Sequence, residues 1–418
     1  MTAFAGYDEE LRAFLEELLR FDTTDGGELA AQRWLREQFE SFGFETYEWV
    51  ADADELAAHP SFPDDPAEIE TVARPSVAGV VELGDPEAGP TIVLNGHVDV
   101  VPATESAWDT DPFEPSWNGS EVTARGAADM KSGLAVAVFV ARHLAEVAEF
   151  DGRIVVESVA GEEEGGIGAA AAALSNPYPF DRDAAIVTEP TELDVVTAVE
   201  GSAMMELRLE GRSAHAATRW RGESVLPHFE TIRQAFAELE AEREERVTHP
   251  LYDEFPIKWP VSFGTVHAGN WASAVPDELV AQVRIGVAPG ETVADVEAEF
   301  RERLESVAAE SEWLSEHPPE FERFSIQFES AEVDPGEPVV GAVQAAAAAA
   351  GLNSEPRGAT YGADSRHYED AGIPTVLFGP GSIEQAHFPN ERIDFEDVLT
   401  AGSVLVDAVE RFCRENQR

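Results

Sequence analysis

Positive charge is what this sequence is shortest of. Lysine occurs only as Lys131 and Lys258, and lysine and arginine together number 28 against 82 aspartates and glutamates, a formal net charge of −54. A field of that sign repels nucleic acid and anionic membrane surfaces and excludes both as expected partners. Cysteine is almost as scarce. Cys413 alone rules out a disulfide framework and a zinc site built from thiolates. Long apolar runs are also missing, and no segment approaches the roughly 20 residues of a membrane span. The opening MTAFAGYDEELRAF has neither the basic nor the apolar region of a signal peptide. These absences lead us to expect a soluble, cytoplasmic protein.

Against this stand 23 phenylalanines, 8 tryptophans and an apolar fraction of 44%. A disordered acidic chain has no such content. The composition reads as a folded core inside an acidic shell that repels itself unless salt screens it. We therefore expect a halophilic cytoplasm.

At 418 residues the chain is too long for one ordinary core, so two domains are expected. Leu11, Phe14, Leu15, Leu18 and Leu19 have helical spacing, and residues 51–75 read as a polar surface excursion. Short apolar runs of the buried parallel-strand type follow at 92–94, 154–159, 184–187 and 375–378, separated by helical stretches such as 132–148 and 338–350. Between about 200 and 330 the pattern changes. Strands around 205–209, 261–266, 279–285 and 324–328 alternate with helices at 224–246 and 291–308, in the order β-α-β-β-α-β of a ferredoxin-like unit. The expected fold is α/β: a mostly parallel-sheet catalytic domain in two segments, 1–199 and 331–418, with an inserted α+β lid or dimerisation domain at 200–330.

Acidic residues are weak evidence in so acidic a chain, and the 10 histidines say more. Each of the four apolar strands runs into a candidate ligand. They lead in turn to His97 and Asp99, to Glu162 and Glu163, to Glu189, and to Gly379-Pro380-Gly381 followed by His387. In open α/β sheets, ligands bind beyond the carboxyl ends of the strands. His97 and Asp99 lie two apart and point the same way in extended backbone, so Asp99 can accept the imidazole N–H that a metal leaves free. Asp129 precedes a helix, where the dipole alone also favours an acid. Glycines around Glu162-Glu163-Glu164 suit a tight strand-to-helix turn, and an acidic capped turn would look the same. Oxygen and imidazole donors without thiolate fit a pair of hydrolytic divalent ions, zinc before cobalt or manganese.

The motifs GHVDVVP, RGAADMKSG, AGEEEGGIGA, VTEPTEL, GRSAHAA, YGADSRHYEDAGIPTVLFGPG and AHFPNERI occur in this order. Over essentially its whole length the chain resembles the co-catalytic zinc metallopeptidase and deacylase family of acetylornithine deacetylase, succinyl-diaminopimelate desuccinylase, aminoacylase and glutamate carboxypeptidase. The resemblance implies that Asp129 bridges two ions, with His97 and Glu189 completing one and Glu163 and His387 the other. It implies Glu162 as general base, Asp99 as the orienter of His97, and His215 as a donor to the oxyanion across a homodimer. Asn270, Arg284 and Arg366 become candidates for holding the substrate. Two departures stand out. Gly161 replaces the usual aspartate before the glutamate pair, leaving Glu163-Glu164 open as an alternative register, although counting back from Gly165-Gly166-Ile167-Gly168 favours Glu162-Glu163. Gly286 stands where many members have an arginine. The expected activity is metal-dependent hydrolysis of an amide bond in a small N-acyl amino acid. A dipeptidase or carboxypeptidase is the alternative within enzymes, and a non-catalytic binding relative the alternative outside them.

Overall fold

The computed structural model describes residues 3–418. Its main sheet has nine strands. From one edge they run Glu45–Trp49, Ser76–Leu83, Gly152–Val159, Thr91–His97, Ala184–Val187, Thr375–Leu377, Val195–Val199 and Ala331–Glu332, with Pro356–Ala359 also pairing with Val195–Val199. The centre is parallel. Thr91–His97 lies between Gly152–Val159 and Ala184–Val187, and Thr375–Leu377 continues beside the latter. Antiparallel strands occupy the edges. The central strands are buried throughout, as their unbroken apolar runs require. Helices Asp8–Leu19, Lys131–Val147, Pro338–Ala349 and Phe395–Glu415 pack on the sheet in one large core. A three-stranded sheet of Ser116–Asn118, Glu121–Thr123 and Arg392–Asp394 sits beside it.

The second unit is a four-stranded antiparallel sheet ordered Val261–Ala268, Glu278–Val287, Gly201–Glu210, Glu320–Arg323. Helices Val225–Arg246 and Val293–Glu310 pack on it over a separate core. Numbered along the chain, that order is 2-3-1-4, as a ferredoxin-like unit requires.

Two expectations fail. The last strand of this unit is Glu320–Arg323, not 324–328. Phe324, Ile326 and Phe328 alternate, but the polar residue between the last two, Gln327, is the one buried. Its amide accepts from the Met204 N–H and donates to the Met204 carbonyl, which ends the ladder. Residues 51–75 are more than a surface excursion. Leu56, Phe62 and Ile69 pack against Ile167 and Ala170, and Arg74 is buried.

Candidate active site

The carboxyl ends of the parallel strands open into a cleft of about 320 Å³ between the two sheets. It is lined by Asp129, Glu162, Glu163, Glu189, His387 and Arg284, with Ser202, Phe328, Thr360, Tyr361, Gly362 and Ile383 around them.

His97 ends its strand fully buried, with Nε2 3.1 Å from Asp129 Oδ1 and 4.0 Å from Glu189 Oε1. His387 Nε2 lies 3.1 Å from Glu163 Oε1 and 3.5 Å from Asp129 Oδ2. Ligand atoms of His97, Asp129 and Glu189 fall within 4.8 Å of one another, as do those of Asp129, Glu163 and His387. Asp129 is common to both groups, one oxygen toward each imidazole. Three carboxylates and two imidazoles, without thiolate, are donors suited to zinc, cobalt or manganese. So much buried negative charge is costly unless cations offset it. By donor chemistry, then, the residues fit a pair of divalent ions.

Burial opposes charge on His97, yet its bond to Asp129 and the charges of Asp99 and Glu189 raise it well above the usual imidazole range. Bonds to Asp129 and Glu163 push His387 up to about 10. Burial alone would raise Asp129, but the two imidazoles hold it below the usual carboxylate range. Burial, then the nearby charge of Asp364, lifts Glu162 well above it.

The triple glutamate is sorted by its surroundings. Glu162 faces the cleft and bonds no imidazole, Glu163 meets His387, and Glu164 turns away to pair with Arg74. Arg74 is itself buried against Glu28. The turn needs Gly161 at φ 73°, where a Cβ would crowd Ile167 at 3.0 Å and Arg74 at 3.1 Å.

Asp99 acts differently from the sequence expectation. His97 Nδ1 donates to the main-chain carbonyl of Asp99 at 2.9 Å, while the Asp99 carboxylate stands 3.8 Å off. That carboxylate instead accepts the N–H groups of Gly161 at 2.9 Å and Glu163 at 3.0 Å. It therefore sets the turn that carries Glu162 and Glu163, and the carbonyl sets the tautomer of His97.

Of the three substrate-holding candidates, only Arg284 lines the cleft. Arg366 is buried behind Phe328, its guanidinium 4.2 Å from the ring centroid and one nitrogen on the Ala363 carbonyl at 3.0 Å. Asn270 is exposed on the loop after Val261–Ala268. His215 is also exposed, bridged to Ala274 of that same loop, with Nδ1 accepting the Ala217 N–H at 3.1 Å. Neither Asn270 nor His215 lines the cleft of its own chain.

Glu391 went unassigned in the sequence although it lies within AHFPNERI. Wholly buried, it accepts from Ala128 N–H at 2.7 Å, Asp129 N–H at 3.0 Å, Gly126 N–H at 3.0 Å and the Arg125 guanidinium at 2.8 Å. Four residues after His387, it ties the loop of one ligand to the loop of another.

Known proteins resemble this chain in sequence and fold. Over 435 residues the chain is 25% identical to an N-formyl-4-amino-5-aminomethyl-2-methylpyrimidine deformylase of Bacillus subtilis, covering 97% of this chain and 95% of that one. It is 27% identical over 329 residues to an acetylornithine deacetylase of Erwinia tasmaniensis, covering 77% and 80%. Among solved structures, a metallo-carboxypeptidase of Sulfolobus solfataricus shares the fold at a TM-score of 0.74 and 17% identity, over 96% of this chain and 99% of that one. The sequence model described as peptidase family M20/M25/M40 matches residues 93–411, so the chain belongs to that family and is a hydrolase acting on C–N bonds.

Proposed function

We propose that this protein removes the acyl group from a small N-acylated amine or amino acid, using two divalent ions, zinc in the first instance. His97, Asp129 and Glu189 would hold one ion and Asp129, Glu163 and His387 the other. When bound, the pair supplies carbonyl polarisation and activation of the attacking water. The observation that carries the reading is that Asp129 belongs to both ligand groups, while Glu162 shares their cleft and belongs to neither. A buried carboxylate raised above its usual range is suited to take a proton from the water and pass it to the departing amine nitrogen. The same geometry supports the register Glu162-Glu163, because Glu164 is taken up by Arg74.

His215 would donate to the developing oxyanion in a second chain's site. The inserted unit at 200–330 would then serve as lid and dimerisation domain, within catalytic segments 1–199 and 331–418. An exposed edge strand, Val261–Ala268, and exposed Trp220, Leu226, Val266 and Trp271 support a homodimer through this unit. No helix among the described residues is long and apolar enough to cross a membrane. The acidic surface fits a salt-rich cytoplasm.

The test is a screen of N-formyl, N-acetyl and N-succinyl compounds and dipeptides at high salt, before and after chelation. Turnover of acylated compounds that chelation abolishes and zinc or cobalt restores is expected. Full activity in the metal-free protein would sink the mechanism, and turnover of dipeptides alone would replace the deacylase reading with a peptidase one.

A further inference from the structure

Among the described residues that line the cleft outside its two ligand groups, Arg284 is the one cation, and it is already paired. One terminal nitrogen lies 2.9 Å from Glu200 Oε1, and the other donates to the Thr360 carbonyl at 3.3 Å. The Glu200 side chain is wholly buried while that of Arg284 is 30% exposed, so the carboxylate sits behind the guanidinium and water screens the pair poorly. Local backbone makes room for it. Gly286 lies opposite Ser202 in the sheet, and a Cβ there would stand 2.6 Å from Glu200 Oε1 and 2.9 Å from the Trp259 main chain. Only a bare glycine leaves Glu200 this position.

Apart from the ligand groups, Glu162 and Arg284, the wall is uncharged and partly aromatic. Ser202 and Thr360 offer hydroxyls, Phe328 and Tyr361 offer rings, and Ile383 adds an aliphatic face. Arg366, stacked on Phe328 at 4.2 Å, steadies that ring.

We propose that Glu200 is a specificity-determining residue: by occupying Arg284 it directs the cleft toward acylated amines with an uncharged, aromatic or heteroaromatic amine half, and away from substrates anchored by a carboxylate. The proposal rests on the amide-hydrolase reading above. Burial pushes the Glu200 carboxyl up to about 7 against the pull of Arg284, so above that pH a substrate carboxylate would have to share the guanidinium with a buried anion it repels, which is selection by an unfavourable contact. An uncharged ring meets no such conflict and gains the contact area of Phe328 and Tyr361.

A matched pair of substrates tests this. N-acetyl-2-phenylethylamine and N-acetylphenylalanine differ by a single carboxylate. The wild-type protein is expected to favour the first in kcat/KM by about tenfold or more, the scale of one misplaced charge in a pocket. Glu200→Gln frees Arg284 and should shift the ratio toward the second by at least about tenfold. Adding Arg284→Gln to it should remove that shift. Binding of both compounds to Glu162→Gln, followed by calorimetry, reads the same preference without turnover. Wild-type preference for the carboxylate compound, or a Glu200→Gln variant that leaves the ratio where it was, overturns the proposal. Preferential binding of the uncharged compound with no turnover of either would instead overturn the hydrolase reading and leave this one standing.

Discussion

The main-chain N–H of Glu163 donates to Asp99 Oδ2 at 3.0 Å, so the residue that follows His97 by two holds the turn that presents the glutamates. The neighbouring Gly161 N–H binds the other oxygen of the same carboxylate. With both oxygens engaged, the turn cannot slide by one residue without leaving buried donors unpaired, at about 1–3 kcal/mol each.

That constraint gives the two glutamates separable tasks. Glu162→Gln keeps size and polarity but cannot take a proton, and kcat should fall by about 10²–10⁴ with metal content unchanged. Glu163→Gln should lose metal as well, because its carboxylate is the one beside His387. Metal analysis of the two purified variants distinguishes them. Loss of metal from Glu162→Gln with retention in Glu163→Gln would show that their tasks are exchanged.

Glu391 should matter to metal retention although it meets the ligand groups only through the main-chain N–H of Asp129. Glu391→Gln replaces one acceptor oxygen by an amide that must face N–H donors of the Asp129 loop. Burying unsatisfied donors there should loosen both Asp129 and the segment of His387. We expect metal affinity to fall by about 10–100-fold, the usual cost of losing a group that orients a ligand. Competition with a coloured chelator measures it. Unchanged affinity with a lowered melting temperature would make Glu391 a purely structural residue.

The ligand strands were legible because a buried parallel strand announces itself as an unbroken apolar run, and the residues just beyond it mark the sheet's functional edge. His97, Glu162, Glu163 and Glu189 all follow such runs. What stayed hidden depends on contacts far apart in sequence. Arg74 meets Glu28 and Glu164 at separations of 46 and 90 residues, and Glu391 meets Ala128 at 263. A buried ion pair leaves no periodic trace, and arginine is this surface's ordinary cation. The burial of Arg366 was hidden for a related reason. Its sequence neighbourhood does not disclose that its guanidinium stacks on Phe328, 38 residues earlier, whose ring lines the cleft. Asp99 was placed correctly beside His97, but side-chain alternation cannot tell whether the bond runs to carboxylate or carbonyl.

The acidic shell predicts a salt requirement. Net charge of −54 on a folded surface is self-repulsive, and the Debye length shrinks from about 30 Å at 0.01 M to about 3 Å at 1 M. Melting temperature should therefore rise steeply between millimolar and molar potassium chloride. A flat profile would refute the halophilic reading and leave the catalytic one untouched.

The last prediction concerns His215. The structure leaves it exposed on the inserted unit, bridged to the loop that carries Asn270, and outside the cleft of its own chain. Its Nδ1 is taken by the Ala217 N–H, so Nε2 carries the proton and is the atom able to donate. A positioned donor to a developing oxyanion contributes about 10²–10³ in rate. If it serves a second chain's site, His215→Ala and Glu162→Ala should each be nearly inactive and normally folded. A mixed dimer then contains one site with an intact base and the other chain's intact histidine. Statistical mixing gives half heterodimers, each with one working site of two, so activity should recover to about a quarter of wild type. Co-refolding the two variants and assaying at high salt checks it. No recovery, with heterodimers verified by mass, would mean that His215 acts within its own chain or takes no part in the reaction.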